Sequence, residues 1–183
     1  MDDLYIRKVL QGDTDAFRWI IKNHKDMAYS LVMSVVKDEY IAREVLQISF
    51  VKAYTKLDTF LGKSKFSTWF FRIVIHESFK ALKKRSKEIV EYGELPVHAV
   101  SETEDITLKL EQEDLSESIH DALKRLSPKE SLALRLFYLD ENSIEEISEI
   151  TGWTCPNIKV ILHRARKNMR EILGVSFQMD RQN

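Results

Sequence analysis

Between Thr154 and Arg170 the chain carries five cations, Lys159, Arg164, Arg166, Lys167 and Arg170, and no carboxylate. Side chains of this kind neutralise phosphates, and the amide of Asn157 adds the paired donor and acceptor that can read an adenine edge. At helical spacing Ile158, Leu162, Ala165, Met169 and Ile172 share one face, while Asn157, Val160, His163, Arg164 and Lys167 fall on or near the opposite one. A basic face alone describes many solvated surface helices. The segments leading into this one make it more specific. Ser143 and Glu146 have the spacing of a capping box, which opens a first helix through Ile144, Ile147 and Ile150. Gly152 can close that helix in the left-handed conformation. Thr154 as N-cap and Pro156 in the first turn then start the second helix. Two short helices, a tight turn and a cationic second helix read as a DNA-binding helix-turn-helix. Its groove face is expected to be Thr154, Asn157, Lys159, Val160, His163, Arg164 and Lys167. Asn157, near the end that enters the groove, is the base reader; Arg164 and Lys167, further along, meet the backbone.

A second concentration of cationic and aromatic side chains lies upstream. Lys80, Lys83, Lys84 and Arg85 recur at helical spacing, a pattern that attracts phosphates irrespective of sequence and weakens with salt. Before them, Phe66, Trp69, Phe70 and Phe71 offer faces on which opened, single-stranded bases can stack. Aromatics on an amphipathic helix also build cores, and Trp69 divides evenly between the two roles. The loop L-G-K-S-K, Leu61 to Lys65, is the better place to hold an extruded base, with Lys63 and Lys65 beside displaced phosphates.

Other chemistries lack their residues. His24, His76, His98, His120 and His163 are scattered, without metal-ligand spacing, and neither a glycine-rich phosphate loop nor a nucleophile turn occurs. No active site, metal or cofactor is expected. A nuclease or ligase would need clustered carboxylates that the sequence does not offer. The single cysteine, Cys155, cannot pair within the chain, no apolar run approaches the roughly 20 residues of a membrane span, and the N-terminus does not read as a secretory signal. A cytoplasmic location is expected.

The elements that must hold these residues are helical almost throughout, since five glycines and three prolines interrupt 183 residues. Asp13 or Thr14 can cap a helix through Phe17, Ile20, Leu31 and Val35; Asp38 opens another through Ala42, Val45, Phe50 and Leu57; Ser64 or Ser67 restarts the pattern through Trp69, Ile73 and Phe79. Downstream, Leu115, Ile119, Ala122 and Leu126 form a new stripe. Ser127 and Glu130, with Pro128 between them, make a second capping box ahead of Leu132, Leu136 and Leu139. The net charge of −1 conceals segregation: residues 1–85 hold 16 Lys/Arg against 10 Asp/Glu, residues 86–116 hold 2 against 9, and residues 117–183 hold 10 against 10. The fold expected is all-α, with two small helical domains joined by a flexible acidic linker, the second a four-helix module ending in the helix-turn-helix. The boundaries are 1–86, 87–114 for the linker, 115–174, and 175–183 for a tail.

The order of motifs resembles the extracytoplasmic-function class of bacterial sigma factors over nearly the whole chain. G-D-T-D-A-F (Gly12 to Phe17) comes first, then A-R-E-V-L-Q-I-S-F (Ala42 to Phe50), similar to the family's A-E-D-x-x-Q-E-x-F. F-S-T-W-F-F-R-I (Phe66 to Ile73) is similar to F-x-T-W-L-x-R-I, and the helix-turn-helix resembles the reader of the minus-thirty-five promoter element. The resemblance implies binding to core RNA polymerase through Glu44 and Gln47. It also implies minus-ten recognition and melting by residues 1–86, with Lys63, Lys65, Trp69, His76, Lys80, Lys83 and Lys84 toward DNA. Core polymerase, promoter DNA and an anti-sigma factor, membrane-anchored or free, are the implied partners. Ile41, Arg43 and Ile48 stand where the family usually has acids, His76 where it has asparagine, and Ile161 where an arginine is common. A stand-alone helix-turn-helix regulator shares the C-terminal evidence, but the basic first module and the lack of an apolar dimer helix disfavour it.

Residues 87–105 lose the apolar periodicity and hold five glutamates. Limited proteolysis is therefore expected to cut first between Glu88 and Asp105 and to leave two helical fragments. A first cut within residues 42–60 would refute the division.

Overall fold

The computed structural model of the chain describes residues 2–92, 119 and 121–179. Helices α1 (Asp2–Leu10), α2 (Ala16–Val36), α3 (Glu39–Thr55) and α4 (Phe66–Tyr92), with a 3-10 turn at Leu57–Thr59, build the first module. The expected cap holds for α3, where Asp38 Oδ1 accepts from the Ile41 N–H at 3.1 Å. Helix α2 is flanked by Asp15, which makes no side-chain cap bond, and Asp13 Oδ1, in the turn before it, accepts from the Ala16 N–H at 3.2 Å. Helix α4 starts differently. The hydroxyl of Ser64 donates to the Lys65 carbonyl at 3.4 Å instead of capping the helix. Helices α2, α3 and α4 pack on one another around Ile20, Leu31, Val32, Val35, Phe50, Phe70 and Val74, all buried.

The second module comprises α5 (residues 121–125), α6 (Pro128–Leu134), a π turn at Arg135–Leu139, α7 (Ile144–Thr151) and α8 (Cys155–Met179). Both capping boxes form, with serine hydroxyl and glutamate carboxylate reciprocating at Ser127/Glu130 and at Ser143/Glu146. The helix expected to continue through Leu139 widens after Leu134. The Asp140 N–H bonds the Arg135 carbonyl at 3.0 Å, five residues back, and the Asp140 carboxylate meets Arg135 Nη2 at 3.4 Å. Leu136 stays in the core while Leu139 is left exposed.

The two helical modules expected from the sequence are present, and their buried residues join in one continuous cluster. Helix α2 packs on α6 and α4 on α7, and Phe79 meets Trp153 edge-on with ring centres 6.3 Å apart. A polar clasp accompanies this seam. Lys37 caps α2 in the left-handed conformation (φ 55°) and sends its ammonium to the Lys124 carbonyl at 2.6 Å and to that of Leu126, the open end of α5. Burial pushes the Lys37 pKa down, against the pull of Glu130. Helix α4 runs past residue 86 to Tyr92, and α8 past residue 174 to Met179. The rest of the expected linker, residues 93–114, lies outside the described residues, as do residues 115–118 and the last four of the tail. Among the described residues no helix is long and apolar enough to cross a membrane.

Leu132 is fully buried where α2 meets α6. Leu132→Ala is expected to cost roughly 2–5 kcal/mol in chemical denaturation, whereas loss of the exposed cap in Ser127→Ala costs about 1 kcal/mol.

Candidate nucleic-acid interface

The helix-turn-helix is fixed by short-range bonds. Gly152 ends α7 at φ 75°, its N–H on the Ser148 carbonyl at 2.8 Å. The Ser148 hydroxyl donates to the Trp153 carbonyl at 2.6 Å, and the Trp153 N–H donates to Thr151 Oγ1 at 3.1 Å. Thr154 Oγ1 then accepts from the Asn157 N–H at 3.4 Å, which starts α8. Because Ile158, Leu162 and Ala165 are buried beneath, Thr154, Asn157, Lys159, Val160, His163, Arg164 and Lys167 are all exposed together. Val160 is an apolar side chain 48% exposed on this cationic face, suited to a thymine methyl. Ile161, at the departure from the family pattern, is half-buried against the core. Arg166 turns away, donating through Nε to the Leu162 carbonyl at 3.1 Å.

On α4 the burial of Phe70, Val74 and Ser78 turns Arg72, His76, Lys80, Lys83, Lys84 and Lys87 outward as a stripe. Its length is about 22 Å at 1.5 Å per residue. Arg72 was missed in the sequence, although its spacing to His76 and Lys80 was there to be read. Arg85 does not join the stripe. Its Nη1 lies 3.0 Å from Asp38 Oδ2, tying α4 to the cap of α3. The aromatic cluster is corrected as well: Phe66, Phe70 and Phe71 are buried and cannot receive bases, leaving half-buried Trp69 against Phe60 and Phe66 at 5.5 and 5.6 Å. At its side the loop turns at Gly62 (φ 68°) and exposes Lys63 and Lys65.

His76 stands on a buried support that sequence reading did not find. Its Nδ1 is 3.2 Å from Glu77 Oε1, which also accepts from Lys52 Nζ of α3 at 2.6 Å. Burial alone raises the Glu77 pKa, but the hydrogen bonds from Lys52 and His76, with the charges of Lys52 and Lys80, outweigh it and hold the carboxyl below 4.5. Elsewhere on α3, Glu44 and Gln47 are exposed beside Tyr40, Ile48 and Val51. Ile41 is half-buried against the core, and Arg43 pairs with Glu39 at 3.2 Å within the helix.

These two surfaces coincide with two family matches: residues 20–88 match Sigma-70 region 2, and residues 116–169 match Sigma-70, region 4. The chain is 29% identical over 180 residues to the ECF RNA polymerase sigma factor SigW of Bacillus subtilis, covering 92% of this chain and 94% of that one. It is 25% identical over 181 residues to the RNA polymerase sigma-H factor of Pseudomonas aeruginosa, covering 94% and 93%. Among solved structures, the sigma factor RpoE of Bartonella quintana, in complex with the anti-sigma factor NepR, superposes with a TM-score of 0.68 at 23% identity over 87% of this chain and 97% of that chain, a likeness of fold. The chain belongs to the sigma-70 family, in its extracytoplasmic-function class. It binds core RNA polymerase and directs promoter-specific transcription initiation.

Because the Glu77 carboxyl is held below its ordinary pKa in the fold, the stability it supplies is present above about pH 4.5 and is lost as pH falls through the lowered value. Glu77→Gln should lower stability at neutral pH by roughly 1–2 kcal/mol and flatten the loss on acidification. Parallel denaturation curves at several pH values check both.

Proposed function

We propose that the two modules divide promoter recognition, residues 1–86 docking on core polymerase and melting the minus-ten element while residues 115–174 read the minus-thirty-five element. Residues 87–114 connect them, and residues 175–183 form the tail. The observation that carries this is a pair of exposed cationic faces, one on α4 with its preceding loop and one on α8, each turned outward by a buried apolar face. At the minus-ten side Lys63, Lys65, Lys80, Lys83 and Lys84 meet phosphates, Trp69 and the loop receive an opened base, and His76 faces the strand from its Glu77 support. At the minus-thirty-five side Asn157 reads bases, Val160 meets a thymine methyl, and Thr154, Lys159, His163, Arg164 and Lys167 position the helix on the backbone. Glu44 and Gln47 contact polymerase from α3. The chain supplies recognition and no active site of its own, needs no cofactor, and works in the cytoplasm. The RpoE neighbour is bound to its anti-sigma factor, and we assign this chain a partner of the same kind.

Run-off transcription tests the reading. Purified chain with core polymerase should yield defined transcripts from genomic fragments, including its own upstream region, and core alone should yield none. Glu44→Lys with Gln47→Ala should weaken core binding with both modules still folded. Asn157→Ala should change the order of preference among minus-thirty-five variants. Lys167→Ala should weaken all variants alike and lower the salt slope by about one unit. An unchanged preference order or an unchanged slope refutes the corresponding role.

A further inference from the structure

Of the side chains that α4 turns outward, Arg72, Lys80, Lys83 and Lys87 can only donate hydrogen bonds, which suits them to phosphate oxygens. His76 is different. A neutral imidazole carries one N–H and one bare nitrogen, so the partner of one edge decides what the other edge offers. Here that partner is fixed by the fold. Glu77 Oε1 lies 3.2 Å from His76 Nδ1 and accepts from Lys52 Nζ at 2.6 Å, while the Glu77 side chain is 8% exposed and that of His76 is 77% exposed. A carboxylate held in its charged form has no proton to give. Nδ1 must therefore supply the hydrogen, which leaves Nε2 as a bare acceptor on the opposite edge of an exposed ring. Lys52 reinforces the choice. It belongs to α3, is a donor only and meets the same oxygen, so it keeps that oxygen an acceptor and offsets a negative charge lying beneath a cationic surface.

We infer that Glu77 and Lys52 are positioning residues for promoter recognition: they lock His76 with its proton on Nδ1, so that Nε2 accepts from an exocyclic amine of an opened minus-ten base. This rests on the assignment of His76 to the minus-ten strand. Adenine N6 and cytosine N4 present such an amine, whereas the corresponding edges of guanine and thymine present acceptors. Adenine and cytosine are therefore the bases favoured at the position His76 meets. Arg72 and Lys80, about one turn to either side, can hold phosphates while the ring between them reads the base. An exposed histidine without this support would turn and exchange its proton between the two nitrogens, and would meet a donor or an acceptor alike.

The experiment uses the full chain, first alone and then with core polymerase, at about pH 8, where an ordinary imidazole is neutral. Nitrogen NMR of the ring, assigned by comparison with His76→Ala, reads the tautomer. The wild-type ring should carry its proton on Nδ1. Glu77→Gln should keep it there, because the amide oxygen still accepts beside Lys52, and Glu77→Met, which has no such oxygen, should move it to Nε2, the tautomer an unsupported histidine favours. A wild-type ring protonated on Nε2 overturns the inference without any variant having to fold. Holoenzyme is then tested on a promoter identified by run-off transcription, with each base placed in turn at each minus-ten position. At one position adenine or cytosine should exceed guanine or thymine about fivefold in open-complex formation, the scale of one hydrogen bond. His76→Ala and Glu77→Met should abolish that preference and Glu77→Gln should retain it, a pattern that loss of charge alone does not produce. If Glu77→Met leaves the preference intact while His76→Ala removes it, Glu77 does not position the ring and the inference falls. If His76→Ala itself leaves the preference intact, the assignment of His76 to the minus-ten strand is what failed, and the inference falls with it.

Discussion

The burial of one face of α4 is the constraint on which the rest of the molecule depends. Phe70, Val74 and Ser78 are sealed against α2 and α3, and Phe79 continues the contact onto Trp153 beyond α7. A helix with one face so committed has no rotational freedom left, so Arg72, His76, Lys80, Lys83 and Lys84 must point outward together. Cationic side chains that would repel one another are thereby held in a row by apolar packing. Recognition of a polyanion is then prepared before the partner arrives.

The same logic recurs in α8 on a smaller scale. Ile158, Leu162 and Ala165 fix its rotation, while Gly152, Thr151 and Ser148 fix the angle at which the chain enters it. Polar side chains serve the fold at several joints. Arg85 on Asp38, Lys52 on Glu77 and Lys37 on the carbonyls of α5 each tie one helix to another. Cations near a nucleic-acid surface are thus of two kinds. Those on the stripe and on the groove face remain exposed, and those at the joints are half-buried and engaged with partners inside the protein.

This distinction explains what was legible in the sequence. Capping boxes, the closing glycine, the proline at the start of α6 and the apolar face of α8 are local signals, because each rests on bonds or contacts spanning three to five residues. The all-α class, the helix-turn-helix and the exposed face of its second helix followed from them. The motifs around Ala42 to Phe50 and Phe66 to Ile73 marked the first module, and the family matches agree with them. The aromatic run at Phe66 to Phe71 could not be sorted in the same way. Stacking platform and core demand the same side chains, and only the positions of α2 and α3 decide that Phe66, Phe70 and Phe71 are buried while Trp69 stays half-open.

Long-range pairing was decided by the tertiary structure alone. No periodicity tells Glu77 that Lys52 lies across from it, 25 positions away, or Lys37 that its ammonium will meet a carbonyl 87 positions further on. The π turn after Leu134 likewise escapes a pattern of leucines, because it depends on where Arg135 and Asp140 find each other. The packing of the two modules on each other escaped for the same physical reason. A sequence shows which residues will be buried, through hydrophobicity and spacing, but the surface that buries them belongs to distant chain. Local pattern set helix, turn and charge, and the fold decided which charges stay exposed and which pair with one another.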